Sequence, residues 1–519
     1  MVMLASVLVA ATFTRTLERV ATMDPAMARS VYDSHAVQLV YEPPLEIDYK
    51  ARPYKLVPGF CELPEVSADG LTYVFRVKVK SEVEQRNLST CAFGLEKDAN
   101  HHCSTSTFDF DFTSADVVRS LERLRDPKVI SPNGWIMKDV DRMKALDAKT
   151  VEIRLKRRCH FFPWLMAMSA CGVRGPNGEG TGPYELTHWR KNHEMIFKRK
   201  SNCAFTSFDE VKYLVVDDVS TQWLMFLKGE LDFLGEISRD NFDSVVGADG
   251  RLDPALGKLG VKLHSIPTLE VLHVGFNMRD PVLGSNRKLR QALNAAFDYP
   301  AWEKFYNGRI LPCTTPVPPG VEGRLEDPFP YAFDLEKAKA LLAEAGYADG
   351  IDPKTGRRLV LTMSIGRPNQ ESREAGELMA AFYEKIGVKL ELDFKTWNAF
   401  QKAVNEGRVQ MFRMGWVGDY PDAQNFLQLF YSKNVNPGPN HANYANPEFD
   451  REYDAAIDAK TAAERNAHWA KCQKIVQEDC PWIFTHVNKA YSLVRPTVKN
   501  YVPTDFPYGV EKYYENAVP

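Results

Sequence analysis

The chain has 519 residues, of which 44% are hydrophobic and 26% charged, with a formal net charge of -3. This balance belongs to a folded globular protein and excludes a disordered chain or a bundle of membrane spans. With no lysine- and arginine-rich block, it also excludes nucleic-acid binding as the main task, since neutralising phosphates needs a concentrated basic face.

The length suggests roughly three domain-sized units. Residues 1–11 form an apolar run too short to span a bilayer, read either as the stub of a signal peptide or as a first strand carrying Val2, Leu4, Val7 and Val9. Seams are expected near residue 50, near 175–182 and near Ser265-Ile266-Pro267. Residues 71–79 and 150–155 alternate with period two and have little helix between them, which reads as an antiparallel satellite lobe. The exception is a helix over 115–124, opened by a Thr113 to Asp116 capping box and ended before Asp126-Pro127.

His101, His102 and Cys103, with Asp109 and Asp111 nearby, read as a solvated loop and not a metal site, because adjacent histidines point in different directions. The glycines of 178–182 precede a strand start at Pro183-Tyr184 and not a helix N-terminus, so they do not make a phosphate cradle. A helix containing Leu224 and Leu227 stops at Gly229, and a strand follows over 231–235. Asp334 caps a helix with Leu335, Ala338, Leu341, Leu342 and Ala345 on one face, ended by Gly346 where left-handed geometry is needed. Residues 371–386 form a helix stopped by Gly387, 388–394 a half-buried strand, and 397–406 a helix stopped by Gly407. The fold class is therefore α/β on mixed sheets. Nine cysteines, none in a C-x-x-C pair, suggest neither a zinc ribbon nor a redox motif.

The strand entering at Val409 carries Arg413, which shares a face with Val409, Met411 and Gly415, and Trp416, Asp419, Tyr420, Pro421 and Asp422 follow. A guanidinium taken out of water needs an anion. That anion is either Asp419, in a bridge closing the loop with Trp416 as a core residue, or a ligand carboxylate, with Asp419 receiving a ligand ammonium. Trp416 is then one wall of the pocket and Trp397 a second. Signatures for nucleophilic, zinc and nucleotide chemistry are missing. An acid and base pair of Asp419 and Asp422 is the enzymatic alternative, without a nucleophile or metal set beside it.

The chain resembles the large solute-binding proteins of ABC importers, the dipeptide- and oligopeptide-binding class known as family 5. The matches run in order: Thr22-Met23-Asp24-Pro25, Tyr41-Glu42, the 112–121 helix, Gly180-Thr-Gly-Pro-Tyr184, Phe276-Asn277, 282–298, Asn307-Gly308, and 333–347 with its D-x-x-K-A-x-x-L-L-x-x-A-G-Y pattern. The resemblance implies a two-lobed periplasmic-binding-protein fold with a hinge between lobes and a satellite domain. Lobe I would comprise 1–50, 180–268 and 486–519, the satellite 51–179 and lobe II 269–485. It implies a non-enzymatic, cofactor-free and metal-free monomer outside the cytoplasm that captures di- or oligopeptides in an interlobe cleft and passes them to ABC permease membrane subunits. Nickel chelates, oligosaccharides, haem or opines are the alternative solutes of this fold, and an adhesin using the same cleft is a third reading. The family pattern assigns the peptide ammonium to Asp419, the carboxylate to Arg413, pocket walls to Trp416 and Trp397, and an acidic position near the ammonium to Glu42. Gly415 and Val417 are the expected partners of the peptide backbone. Two departures stand out: Pro43-Pro44 follows Glu42 where the family has glycine, and 85–112 lacks the usual tryptophan- and glycine-containing turn. No cysteine near residue 1 marks a lipid anchor.

Overall fold

A computed structural model describes residues 10–78, 112–201, 208–247, 250–436, 438–504 and 506–517. The alternatives for the apolar run before Ala10, and the histidine and cysteine segment around residue 101, lie outside these residues. The chain divides into two compact units, one of residues 1–266 with 490–519 and one of 267–489. No helix among the described residues is long and apolar enough to cross a membrane.

In the first unit, strand Thr12–Thr16 lies parallel to Glu210–Leu214 and, at Arg15, to Phe233–Leu234. Antiparallel strands Glu194–Arg199 and Tyr184–Arg190 extend the sheet. Phe13, Tyr184, Phe197, Val211 and Tyr213 fill its core. The C-terminal segment is anchored there by charge: Glu511 and Lys512 are buried, pairing with Arg15 and Glu46, each at 2.5 Å. A separate antiparallel sheet joins Glu65–Val66, Thr72–Arg76, Thr150–Leu155 and Val140–Ala145. Its helix, Ser114–Glu122, carries the capping box of Thr113 and Asp116.

The second unit is built on strands in the order Lys389–Phe394, Val360–Ile365, Met411–Val417, Glu270–Phe276 and Trp482–Val494, the last belonging to this unit as far as Lys489. The first two pairings are parallel and the next two antiparallel, so the sheet is mixed. Helices Arg287–Ala295, Leu335–Glu344 and Gln370–Glu384 cover it through a core that includes Leu293, Trp302, Leu342, Phe382, Tyr383 and Met411. The glycine stops are real: Gly229, Gly346 and Gly387 take φ of 84°, 89° and 79°, the region where a side chain would be strained. Three strands are shorter than expected, the one read over 71–79 being Thr72–Arg76 among the described residues. The strand expected over 231–235 contracts to Phe233–Leu234, and the one expected from Val409 begins at Met411. The six described cysteines are all buried free thiols.

Candidate ligand-binding site

The Met411–Val417 strand has one complete edge and one that is covered only in part. Within a strand the N–H and C=O of one residue point to the same edge, and successive residues alternate. Toward Glu270–Phe276, the C=O of Gln410 accepts from the N–H of Asn277 at 3.0 Å and the N–H of Gly418 donates to Leu269 at 2.7 Å. Even-numbered residues therefore serve that edge, and Arg413, Gly415 and Val417 serve the other. The neighbour there, Val360–Ile365, pairs Met363 with Met411, Ser364 with Phe412 and Ile365 with Arg413, and then stops. Among the described residues no strand continues the ladder, which leaves the outward amide groups of Gly415 and Val417 open. Both residues are exposed, Val417 by 55%. A Cβ on Gly415 would lie 2.5 Å from Leu272 Cδ1, so glycine keeps this stretch clear.

Side chains alternate between sheet faces with the same period, so Arg413 and Trp416, an odd number of residues apart, belong to opposite faces. Arg413 turns to the helix-covered face, where Nη2 donates to the Tyr306 hydroxyl at 2.7 Å and Cζ stands 5.7 Å from the centre of the Trp302 ring. Trp302 Nε1 in turn donates to His486 Nδ1 at 3.1 Å, which requires that nitrogen to be unprotonated. Burial first, and the Arg413 charge second, push His486 down to about 3. The shelf under the guanidinium is thus a neutral one of rings and a phenol. Among the described residues no carboxylate lies within 4.0 Å of Arg413, and the closing bridge to Asp419 is not formed.

Trp416 and Asp419 meet instead on the amide of Asn425, which is wholly buried in helix Ala423–Leu427. Asn425 Oδ1 accepts from Trp416 Nε1 at 3.0 Å and from the Asp419 N–H at 3.1 Å, and Nδ2 donates to Asp419 Oδ2 at 3.3 Å. Gly418 permits the turn between them, since a Cβ there would meet Leu269 Cγ at 2.8 Å and Phe426 Cζ at 2.9 Å. The Asp419 carboxylate is open to solvent although protein atoms crowd around it. Crowding raises its pKa, opposed by the Asn425 bond, and direct contact with water limits the size of that rise. Asp422, the other half of the enzymatic alternative, caps the helix by accepting from the Gln424 N–H at 2.8 Å.

Trp397 opens helix Trp397–Asn405, is 44% exposed and stacks on Phe400. Its ring rests on Gly366, the residue after the last paired position of the neighbouring strand, which brings an aromatic surface beside the open edge. Glu42 is placed differently. It belongs to the first unit and is 2% exposed, its N–H donating to Thr181 Oγ1 at 2.8 Å and its C=O accepting from the Val173 N–H at 2.9 Å.

Sequence reasoning missed four partners: Tyr306, His486, Asn425 and Glu270. Glu270 stands opposite Val417, and its Oε1 accepts from Thr268 Oγ1 at 2.9 Å and Asn488 Nδ2 at 2.7 Å. Only Glu270 had a local signal, a carboxylate at the start of an apolar strand.

A sequence model described as bacterial extracellular solute-binding proteins, family 5 (middle), matches residues 55–438. Heme-binding protein A of Haemophilus influenzae is 28% identical over 506 residues, covering 91% of this chain and 86% of that protein. The dipeptide-binding protein of Escherichia coli is 24% identical over 514 residues, covering 91% and 88%. Among solved structures, HbpA2 from Haemophilus parasuis superposes with a TM-score of 0.81 at 22% identity, covering 97% of this chain and 99% of that one. The unliganded open form of the periplasmic murein tripeptide-binding protein MppA gives 0.77 at 21%, covering 98% and 97%. The fold is that of the periplasmic binding proteins.

Proposed function

The chain belongs to the bacterial extracellular solute-binding proteins of family 5, and from that membership we propose that it captures short peptides outside the cytoplasm and delivers them to the membrane subunits of an ABC importer. The observation that carries the ligand class is the open edge at Gly415 and Val417. An extended peptide satisfies such an edge by adding a strand, which draws affinity from main-chain hydrogen bonds and is indifferent to side chains.

The groups around that edge suit the ends of a peptide. Asp419 offers a carboxylate with one oxygen engaged by a single amide, which leaves lone pairs for an ammonium. Arg413 has a guanidinium with donors to spare beyond its bond to Tyr306, suited to a carboxylate. Trp397 and Trp416 supply aromatic surface for side chains. Six residues at about 3.3 Å each separate the Cα atoms of Arg413 and Asp419 by at most roughly 20 Å, so a ligand meeting both is a short peptide. Relatives are named for heme, dipeptides and glutathione. Dipeptides and glutathione share the pairing of ammonium, amide and carboxylate that this site addresses. The protein acts as a monomer, without metal, cofactor or catalytic step.

Native mass spectrometry of the protein as purified, followed by sequencing of the released ligand, tests this reading. A population of short peptides is expected, and a bound metal chelate, tetrapyrrole or oligosaccharide in their place would overturn it.

A further inference from the structure

We propose that Asn425 is the positioning residue of this site, one buried amide that holds the Trp416 indole and the Asp419 carboxylate in a fixed relation so that wall and anion meet a ligand together. The inference rests on the reading that Asp419 receives a ligand ammonium. The geometry uses what an amide alone offers. Two lone pairs on Oδ1 take the indole N–H at 3.0 Å and the Asp419 N–H at 3.1 Å, while Nδ2 donates to Asp419 Oδ2 at 3.3 Å. Leucine would supply none of these bonds. Aspartate would supply the two acceptor bonds and replace the donor by a second negative oxygen.

Asn425 is itself held in place. Its N–H donates to the Asp422 C=O at 3.0 Å, its C=O accepts from Gln428 Nε2 at 3.2 Å, and its side chain has no exposure. Among the described residues its amide is the sole hydrogen-bond donor to the Asp419 carboxylate. Of the other titratable groups of the cluster, Tyr420 also meets the Asn425 side chain, a contact that works against the rise burial gives its pKa. The Tyr420 hydroxyl donates to Gln424 Oε1 at 2.6 Å, Gln424 Nε2 donates to the Tyr453 hydroxyl at 2.6 Å, and Asp422 caps the helix. Orientation of the carboxylate therefore passes through one side chain, and the same side chain sets the tilt of the indole.

The decisive variant is Asn425→Asp, read in ligand-free protein by 13C NMR titration of the Asp419 carboxyl carbon and by calorimetry with trialanine across pH 5 to 8. Two carboxylates in contact share a proton, so the Asp419 midpoint rises by about one pH unit or more. The affinity for trialanine then falls more between pH 7.5 and pH 5 than it does in the wild type, by up to about tenfold for each unit of that rise. An unshifted Asp419 titration overturns the positioning role whatever trialanine does. A shifted titration with no trialanine binding, even by the wild type, upholds the clamp and overturns the ligand reading. If Asn425→Asp fails to fold, the double variant Asn425→Asp with Asp419→Asn decides, because it restores one donor facing one acceptor. Recovery of a cooperative melt supports the clamp, and a double variant as unfolded as the single one overturns it.

Discussion

Replacing Asp419 by asparagine removes a charge while keeping shape, volume and an oxygen for Asn425 to bond. The lost interaction is a charge-assisted hydrogen bond to an ammonium, worth about 1.5–3 kcal/mol. The larger penalties of fully buried ion pairs, about 3–5 kcal/mol, do not apply, because the carboxylate is open to water. At about 1.4 kcal/mol per decade, the expected weakening for trialanine is roughly 10- to 150-fold. Calorimetry on protein stripped of co-purified ligand by unfolding and refolding measures it, with N-acetyl-trialanine as the matched probe. The wild type is expected to discriminate against the acetylated peptide by a similar factor and Asp419→Asn to lose that discrimination. Equal affinity of both proteins for trialanine, or equal binding of both peptides by the wild type, would refute the assignment of the ammonium to Asp419.

Two further predictions concern the aromatic wall and the buried histidines. A Cβ at Gly366 would lie 2.7 Å from Phe400 Cδ1 and 2.8 Å from Trp397 Cε3, so Gly366→Ala must displace rings; a loss of about 1–3 kcal/mol in urea melts is expected with weaker trialanine binding. Wild-type values in both assays would remove Trp397 from the wall. His273 and His486 are 4% and 2% exposed and are each pushed down to about 3 by burial, against 6.5 when unfolded. Because the unfolded chain binds these protons first, stability is full above about pH 6.5 and falls as pH drops, by roughly 2 kcal/mol per histidine at pH 5. His35, His264 and His441 are lowered too and add in the same direction. Urea midpoints that match at pH 7.5 and pH 5 would contradict this.

The elements were legible where local chemistry decides. The Thr113 and Asp116 capping box and the glycine stops at 229, 346 and 387 each satisfy helix-end groups within a few residues, so the sequence carries the whole cause. For the candidate site, local reading offers a list of residues and not their arrangement. Arg413, Trp416 and Asp419 are close in sequence, which suggested one cluster and, as its bland form, an Arg413 to Asp419 bridge. Strand parity separates them onto two faces, and that parity was itself readable. What periodicity does not reveal is the partner on each face: Tyr306 lies 107 residues from Arg413, and Asn425 reaches back across a turn to residues 6 and 9 positions earlier. Those contacts are set by packing of the sheet against its helices.

The open edge is built by its neighbour. After Ile365 pairs with Arg413, the next residues are Gly366, Arg367 and Pro368. Proline has no N–H to continue a ladder, and Gly366 is pinned under Trp397 and Phe400, so the neighbouring strand ends where the free amides of Gly415 and Val417 begin. Gly366, where that strand stops, also seats an aromatic wall beside the gap. Any extended backbone completes the sheet equally well, because main-chain bonds read no side chain. On the proposed reading, selection among ligands falls to the flanking groups: a half-buried guanidinium on a neutral aromatic shelf on one face, and a carboxylate bonded to the same amide as an indole on the other. A binder of this form changes its preference by altering those flanks while the edge, and with it most of the backbone affinity, stays the same.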